Sequence, residues 1–203
     1  MMLLLGLLFL APSVQAQFLG QLSTARTVPV GGYDLGGYFG VYEDAFAFFG
    51  QFRGGVAEYF DLGAKLGVIS FDPGFDESSE GVILGGDFKY QLLDANLEDP
   101  FDLSIGAGLE FFSVSDFNTF SFGANFCGSK DFALAKGRVI SPYGRLNLRG
   151  ERVNEEGKPT KTDFQAGLNP GVSLKVSSYI QIIGELQFDK YFGFIGGVTY
   201  SFY

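Results

Sequence analysis

The chain has 203 residues, enough for one domain rather than two. It is rich in Gly (30) and Phe (24), lacks His and Trp, and carries a net charge of −9, which argues against a nucleic-acid partner because phosphate binding needs a basic surface. The single cysteine, Cys127, excludes an intrachain disulfide, and beyond the first ten residues no run is long and apolar enough for a membrane-spanning helix.

Taken in chain order, residues 1–16 read as a secretion signal. Met1 to Leu10 form a short apolar run, Pro12 breaks it, and Val14-Gln15-Ala16 is a small-x-small cleavage site. No Lys or Arg precedes the run, and no Cys follows the cleavage site, so a lipid anchor is not expected. The mature chain then begins near Gln17, with 17–30 a short lead-in to a single domain spanning 17–203.

From Tyr33 onward apolar residues occupy every second position, the period of a strand and not of a helix. Strands are expected over 33–42, 46–53, 62–68, 84–91, 103–111, 120–126, 140–149, 164–174, 180–188 and 192–203. The segment 164–174 is the clearest: Phe164, Ala166, Leu168, Val172 and Leu174 share one face, and Gln165, Gly167, Asn169 and Ser173 the other. Connections fall at 43–44, 57–58, 72–80, 93–100, 115–119, 128–137, 152–161, 177–178 and 189–190. About ten strands follow, with eight or twelve as alternatives, which suits an all-β, closed, antiparallel up-and-down barrel.

The second face of these strands is rich in Gly and carries charges of both signs: Arg53, Lys65, Asp87, Lys89, Glu110, Arg145, Arg149 and Glu185. Charges of both signs can pair across a narrow interior, and glycines there leave room for long side chains. Tyr38, Phe49 and Tyr143 share that register and would help to plug the bore, and Cys127 reads as a small lumenal residue. Aromatics near strand ends (Tyr33, Tyr42, Phe60, Phe71, Tyr90, Phe101, Phe188, Tyr191 and Phe202) would make girdles at two membrane interfaces.

The last strand places Phe194, Gly196, Val198, Tyr200 and Phe202 in one apolar row, with Tyr203 one place beyond it. This row resembles the C-terminal targeting strand of bacterial outer-membrane β-barrel proteins, and the resemblance extends over 17–203. It implies a Gram-negative, porin-like transmembrane barrel in the outer membrane, with outer-membrane lipids as surroundings. The barrel-assembly machinery and periplasmic chaperones are the implied partners during biogenesis, with Phe194, Val198, Tyr200 and Phe202 as the recognised residues, and a monomer as the end state. An even strand number puts both termini in the periplasm. The two most charged connections, 72–80 and 152–161, then both fall on the extracellular side.

No enzyme is expected. Outer-membrane enzymes of this size class, such as barrel proteases, phospholipase, lipid A deacylase and lipid A palmitoyltransferase, use a His as base or relay, and this chain has none. No cofactor or metal is expected either. The segment 72–80 has four acids in nine positions, but their spacing does not match a calcium loop. The charged row admits two readings, a constriction that selects permeating solutes or a salt-bridge network filling a narrow barrel, and the second is favoured because small barrels are normally filled by side chains. The function expected is therefore a structural barrel or a narrow channel for small molecules. Two alternatives stand beside it: a soluble lipocalin-like carrier with an apolar core, and an adhesion barrel acting through 72–80 and 152–161.

Overall fold

The computed structural model describes residues 20–43, 45–71, 79–114, 117–155, 157, 159–189 and 192–203. The expected signal 1–16, the acids Asp72, Asp76 and Glu77, and the girdle residue Tyr191 lie outside these residues.

Ten long strands close into one antiparallel barrel. They are β1 (Tyr33–Tyr42), β2 (Ala45–Ala57), β3 (Phe60–Phe71), β4 (Ser79–Leu93), β5 (Asp102–Val114), β6 (Phe117–Ser129), β8 (Val139–Glu155), β9 (Lys161–Lys175), β10 (Ile180–Phe188) and β11 (Phe192–Phe202). A two-residue strand, β7 (Phe132–Ala133), adds a short pairing to β8 in the connection after β6. Each long strand pairs with its neighbours in sequence, and β1 pairs with β11 from Tyr33↔Phe202 to Tyr42↔Gly193, so the ladder closes on itself. Closure gives each long strand a partner on both sides, with residues 161–167 of β9, beyond the end of β10, paired to β8 alone, and pairing of this kind is what allows strands to stand in hydrocarbon.

Several strands run further than their side-chain alternation. β8 and β9 stay paired through Arg152↔Thr162 and Val153↔Lys161, inside the segment expected to be a connection. Backbone pairing needs no apolar side chain, so the ladder continues where the two-residue pattern has ended. At the terminal end, the connection between β4 and β5 is a single 3₁₀ turn, Ala95–Leu97, capped by Asp94 Oδ1 accepting from Asn96 N at 2.9 Å.

The two faces are chemically opposite. Outward positions carry exposed apolar side chains such as Leu66, Leu109, Phe122, Leu148, Leu168 and Val198, and Phe164 is 80 % exposed. Inward lie Arg53 (1 %), Lys89 (1 %) and Arg145 (0 %), among the most deeply buried large side chains. In water so continuous an apolar exterior would drive aggregation. Around hydrocarbon it is the arrangement of a transmembrane barrel and the reverse of a soluble carrier.

Tyr33 and Phe202 stand at the expected girdle on the outer face, with ring centroids 5.4 Å apart. Tyr42 does not: it is buried inside the barrel. The correction follows from parity, since Tyr33 and Tyr42 are an odd number of residues apart on one strand and must point to opposite faces.

Candidate functional site

The lumen concentrates the polar side chains of the molecule, and its floor explains the glycine content of the inner face. Arg53 on β2, Gly63 on β3 and Asp87 on β4 share one rung of the ladder. So do Lys65, Gly85 and Glu110 on β3, β4 and β5, and Tyr143, Gly171 and Glu185 on β8, β9 and β10. In each triple the outer two side chains meet over the glycine between them. Arg53 pairs with Asp87, Lys65 Nζ donates to Glu110 Oε1 at 2.5 Å, and Tyr143 Oη donates to Glu185 Oε2 at 2.9 Å. Strands next but one are about 10 Å apart, so two long side chains join only if the middle position leaves the path clear. A Cβ on Gly85 would come within 2.8 Å of Lys65 Cγ and 3.1 Å of Glu110 Cγ.

Two denser nodes complete the network. Glu185 accepts from Arg145 at 2.8 Å, Asn169 at 2.9 Å and Gln187 at 3.2 Å, as well as from Tyr143. Arg149 donates to Glu151 at 2.8 Å and also pairs with Asp189. Arg53 is shared between Asp87 and Asp61, and Lys89 lies 3.4 Å from Asp61. The structure thus joins Arg53 with Asp87, Lys65 with Glu110, and Arg145 with Glu185, while Lys89 and Arg149 find carboxylates that the sequence reading had not placed in the lumen. Those partners, Asp61, Glu151 and Asp189, stand at or beyond the expected strand ends. Extending the two-residue count from Gly63, Arg149 and Glu185 would have found them.

At the end opposite the termini the lumen holds an apolar cluster beside the Arg149–Glu151–Asp189 node. Tyr42, Ala47, Ile69, Ile83, Phe112 and Val114 belong to one buried cluster there. Tyr38 stacks on Phe49 at 5.3 Å below it, and its hydroxyl lies 2.7 Å from Thr199 Oγ1. Cys127 is buried on the inner face.

The terminal side is filled differently. Residues 20–28, part of the expected short lead-in, turn into the lumen, and Val30 is exposed at its mouth. Gln21, Leu22, Ala25 and Val28 are buried. Lys89 Nζ donates to the Thr24 carbonyl at 3.1 Å and the Arg26 carbonyl at 2.5 Å, and Arg145 donates to the Ser23 carbonyl at 2.6 Å. Beside this segment a cavity of about 530 Å³ reaches the terminal mouth, lined among others by Asp34, Asp94, Asp131, Lys175 and Gln181. The signal for this placement was weak, because an irregular segment has no period to reveal which face it seeks.

Among the described residues no group of three or more Cys, Asp or Glu could hold a metal ion. On the outer face of β11, Phe194, Val198, Tyr200 and Phe202 are all exposed.

This closed barrel, apolar without and ionic within, defines a transmembrane β-barrel fold. The chain aligns with several solved structures. The β domain of the Bordetella autotransporter Brka aligns with 85 % of this chain and 100 % of its own, at 13 % identity and a TM-score of 0.54. The KdgM porin aligns with 84 % of this chain and 99 % of its own, at 12 % identity and a TM-score of 0.42. LpxR from Salmonella typhimurium aligns with 83 % and 99 %, at 9 % identity and a TM-score of 0.45. The likeness to the autotransporter domain supports the fold and nothing finer. No family model matches the sequence, and no curated protein does.

Proposed function

We propose that this chain is an integral outer-membrane β-barrel with a sealed lumen, a structural element of the cell envelope without catalytic activity. The observation that carries the reading is the filling of the bore: an apolar cluster beside the Arg149 ion pairs at one end, strand-skipping ion pairs in the middle, and residues 20–28 at the other end. Buried charges demand partners, and here they find one another across the lumen. On this reading 1–16 is a leader removed on export. The row Phe194, Val198, Tyr200 and Phe202 is read by the assembly machinery, with periplasmic chaperones delivering the unfolded chain. The barrel works as a monomer among outer-membrane lipids.

The test is refolding of the mature chain in detergent, followed by planar-bilayer recording. A folded barrel migrates differently on a gel before and after boiling, and a sealed one inserts without steady current steps. Stable open steps would overturn the sealed lumen; migration unchanged by boiling would overturn the barrel reading. The cavity at the terminal mouth favours a second reading, passage of a small polar solute past residues 20–30. That reading requires a small, solute-dependent conductance in the same recordings.

A further inference from the structure

Residues 20–28 have no ladder to satisfy their backbone, yet side chains of the barrel wall meet it almost residue by residue. Gly20 N donates to Glu110 at 3.1 Å, and the Gly20 carbonyl accepts from Lys65. Gln51 clamps Leu22, accepting from its N–H and donating to its carbonyl, each at 3.3 Å. Ala25 N donates to Ser129 Oγ at 3.1 Å, Thr27 N to Gln91 at 3.0 Å, and Val28 N to Asp61 at 3.0 Å. Together with the Lys89 and Arg145 bonds to the Ser23, Thr24 and Arg26 carbonyls, these come from β2, β3, β4, β5, β6 and β8.

The wall is shaped for the segment as well. A Cβ on Gly106 would stand 2.7 Å from Nε2 of the Gln21 side chain, and one on Gly55 would collide with the carbonyls of Val28 and Pro29. One side chain of the segment is read by charge. Arg26 lies 2.7 Å from Asp131 and 3.8 Å from each of Asp94 and Asp102. Main-chain groups met by fixed side chains, glycines at the points of closest approach and an acidic seat for one arginine are the elements of a peptide-recognition site.

We propose that the terminal-side half of the lumen is a peptide-binding site, occupied in cis by residues 20–30 and able to exchange that segment for a free peptide of the same chemistry. This rests on the reading of the chain as a sealed membrane barrel and adds that part of the seal is a tethered ligand. The site takes an irregular peptide whose backbone is matched by Gln51, Lys65, Lys89, Gln91 and Arg145, with an arginine directed at Asp94, Asp102 and Asp131. Releasing the segment empties the lumen beside the existing cavity and leaves those side chains facing water.

The test uses the whole barrel with a protease site inserted after Gly31, which lies in an exposed turn at φ 79°. After refolding in detergent and cleavage, the boiled and unboiled gel bands report whether the barrel is intact. A fluorescent synthetic peptide with the sequence of residues 20–30 is then added. The expected result is saturable binding as the cleaved segment is displaced, at least tenfold weaker for a scrambled peptide and for one carrying Arg26→Ala. An intact barrel that keeps its cleaved segment until it unfolds, or that binds the scrambled peptide equally well, overturns the proposal. Loss of the heat-dependent gel shift before cleavage overturns the barrel reading beneath it.

Discussion

Lys65 and Glu110 belong to strands that do not touch, and they pair across Gly85 on the strand between them. The same construction recurs over Gly63 and Gly171, so the inner face is a set of glycine floors carrying charged and phenolic spans. The glycines thus support the lumenal network without contributing a polar atom to it.

If Gly85 is a floor for that span, a side chain there must break it. Gly85→Val is expected to lower stability by about 3–5 kcal/mol, the scale of a buried pair broken on one side. Gly144→Val, at a glycine whose Cβ would meet nothing within 4 Å, is expected to stay within about 0.5 kcal/mol of the parent. The urea midpoint of the heat-dependent gel shift measures both.

Removing one partner alone strands the other charge in the lumen. Lys65→Met and Glu110→Leu are each expected to cost about 3–5 kcal/mol, and the double variant clearly less than their sum, because it strands no charge and leaves the Gly20 N–H and carbonyl to be made good. A double-mutant cycle in urea reads the difference. A double variant that loses the full sum of the two would show that the pair is not what holds the two side chains in place.

The exterior should be sensitive to charge by depth. Leu148→Arg, on the outer face well inside β8, is expected to destabilise the barrel in lipid by about 2–4 kcal/mol, and Leu97→Arg, in the connection between β4 and β5, by about 0–1 kcal/mol. Refolding titrations in lipid vesicles measure the contrast. Equal effects would contradict a bilayer around the midsection.

Cys127 is 1 % exposed. A thiol sealed in this way cannot be reached by a reagent, whatever its intrinsic reactivity. A maleimide is expected to leave it unmodified in the folded barrel and to label it fully after boiling in detergent. Mass spectrometry counts the adduct.

The outward aromatics of β11 are proposed to serve recognition during assembly more than stability. Phe202→Ala is expected to reduce the outer-membrane fraction several-fold in cells while refolding in detergent persists. Fractionation compared with in vitro refolding separates the two roles.

A two-residue period is a local property, and the chain shows it without help from the fold. That pattern is enough to place ten strands and their two faces, and it sets Arg53, Lys65, Asp87, Lys89, Glu110, Arg145, Arg149 and Glu185 opposite the apolar rows. It also held the answer for Tyr42, whose odd spacing from Tyr33 sends it inward. Partners were another matter. Glu151 follows Arg149 by two places on one strand, but whether Arg149 also reaches Glu185 or Asp189 depends on the stagger with which neighbouring strands are set when the sheet closes, and no single strand encodes that offset. Residues 20–28 were the least legible part. Only once the barrel exists is there a polar interior to compete with water for their backbone, and so tertiary structure alone decided that the segment lies inside.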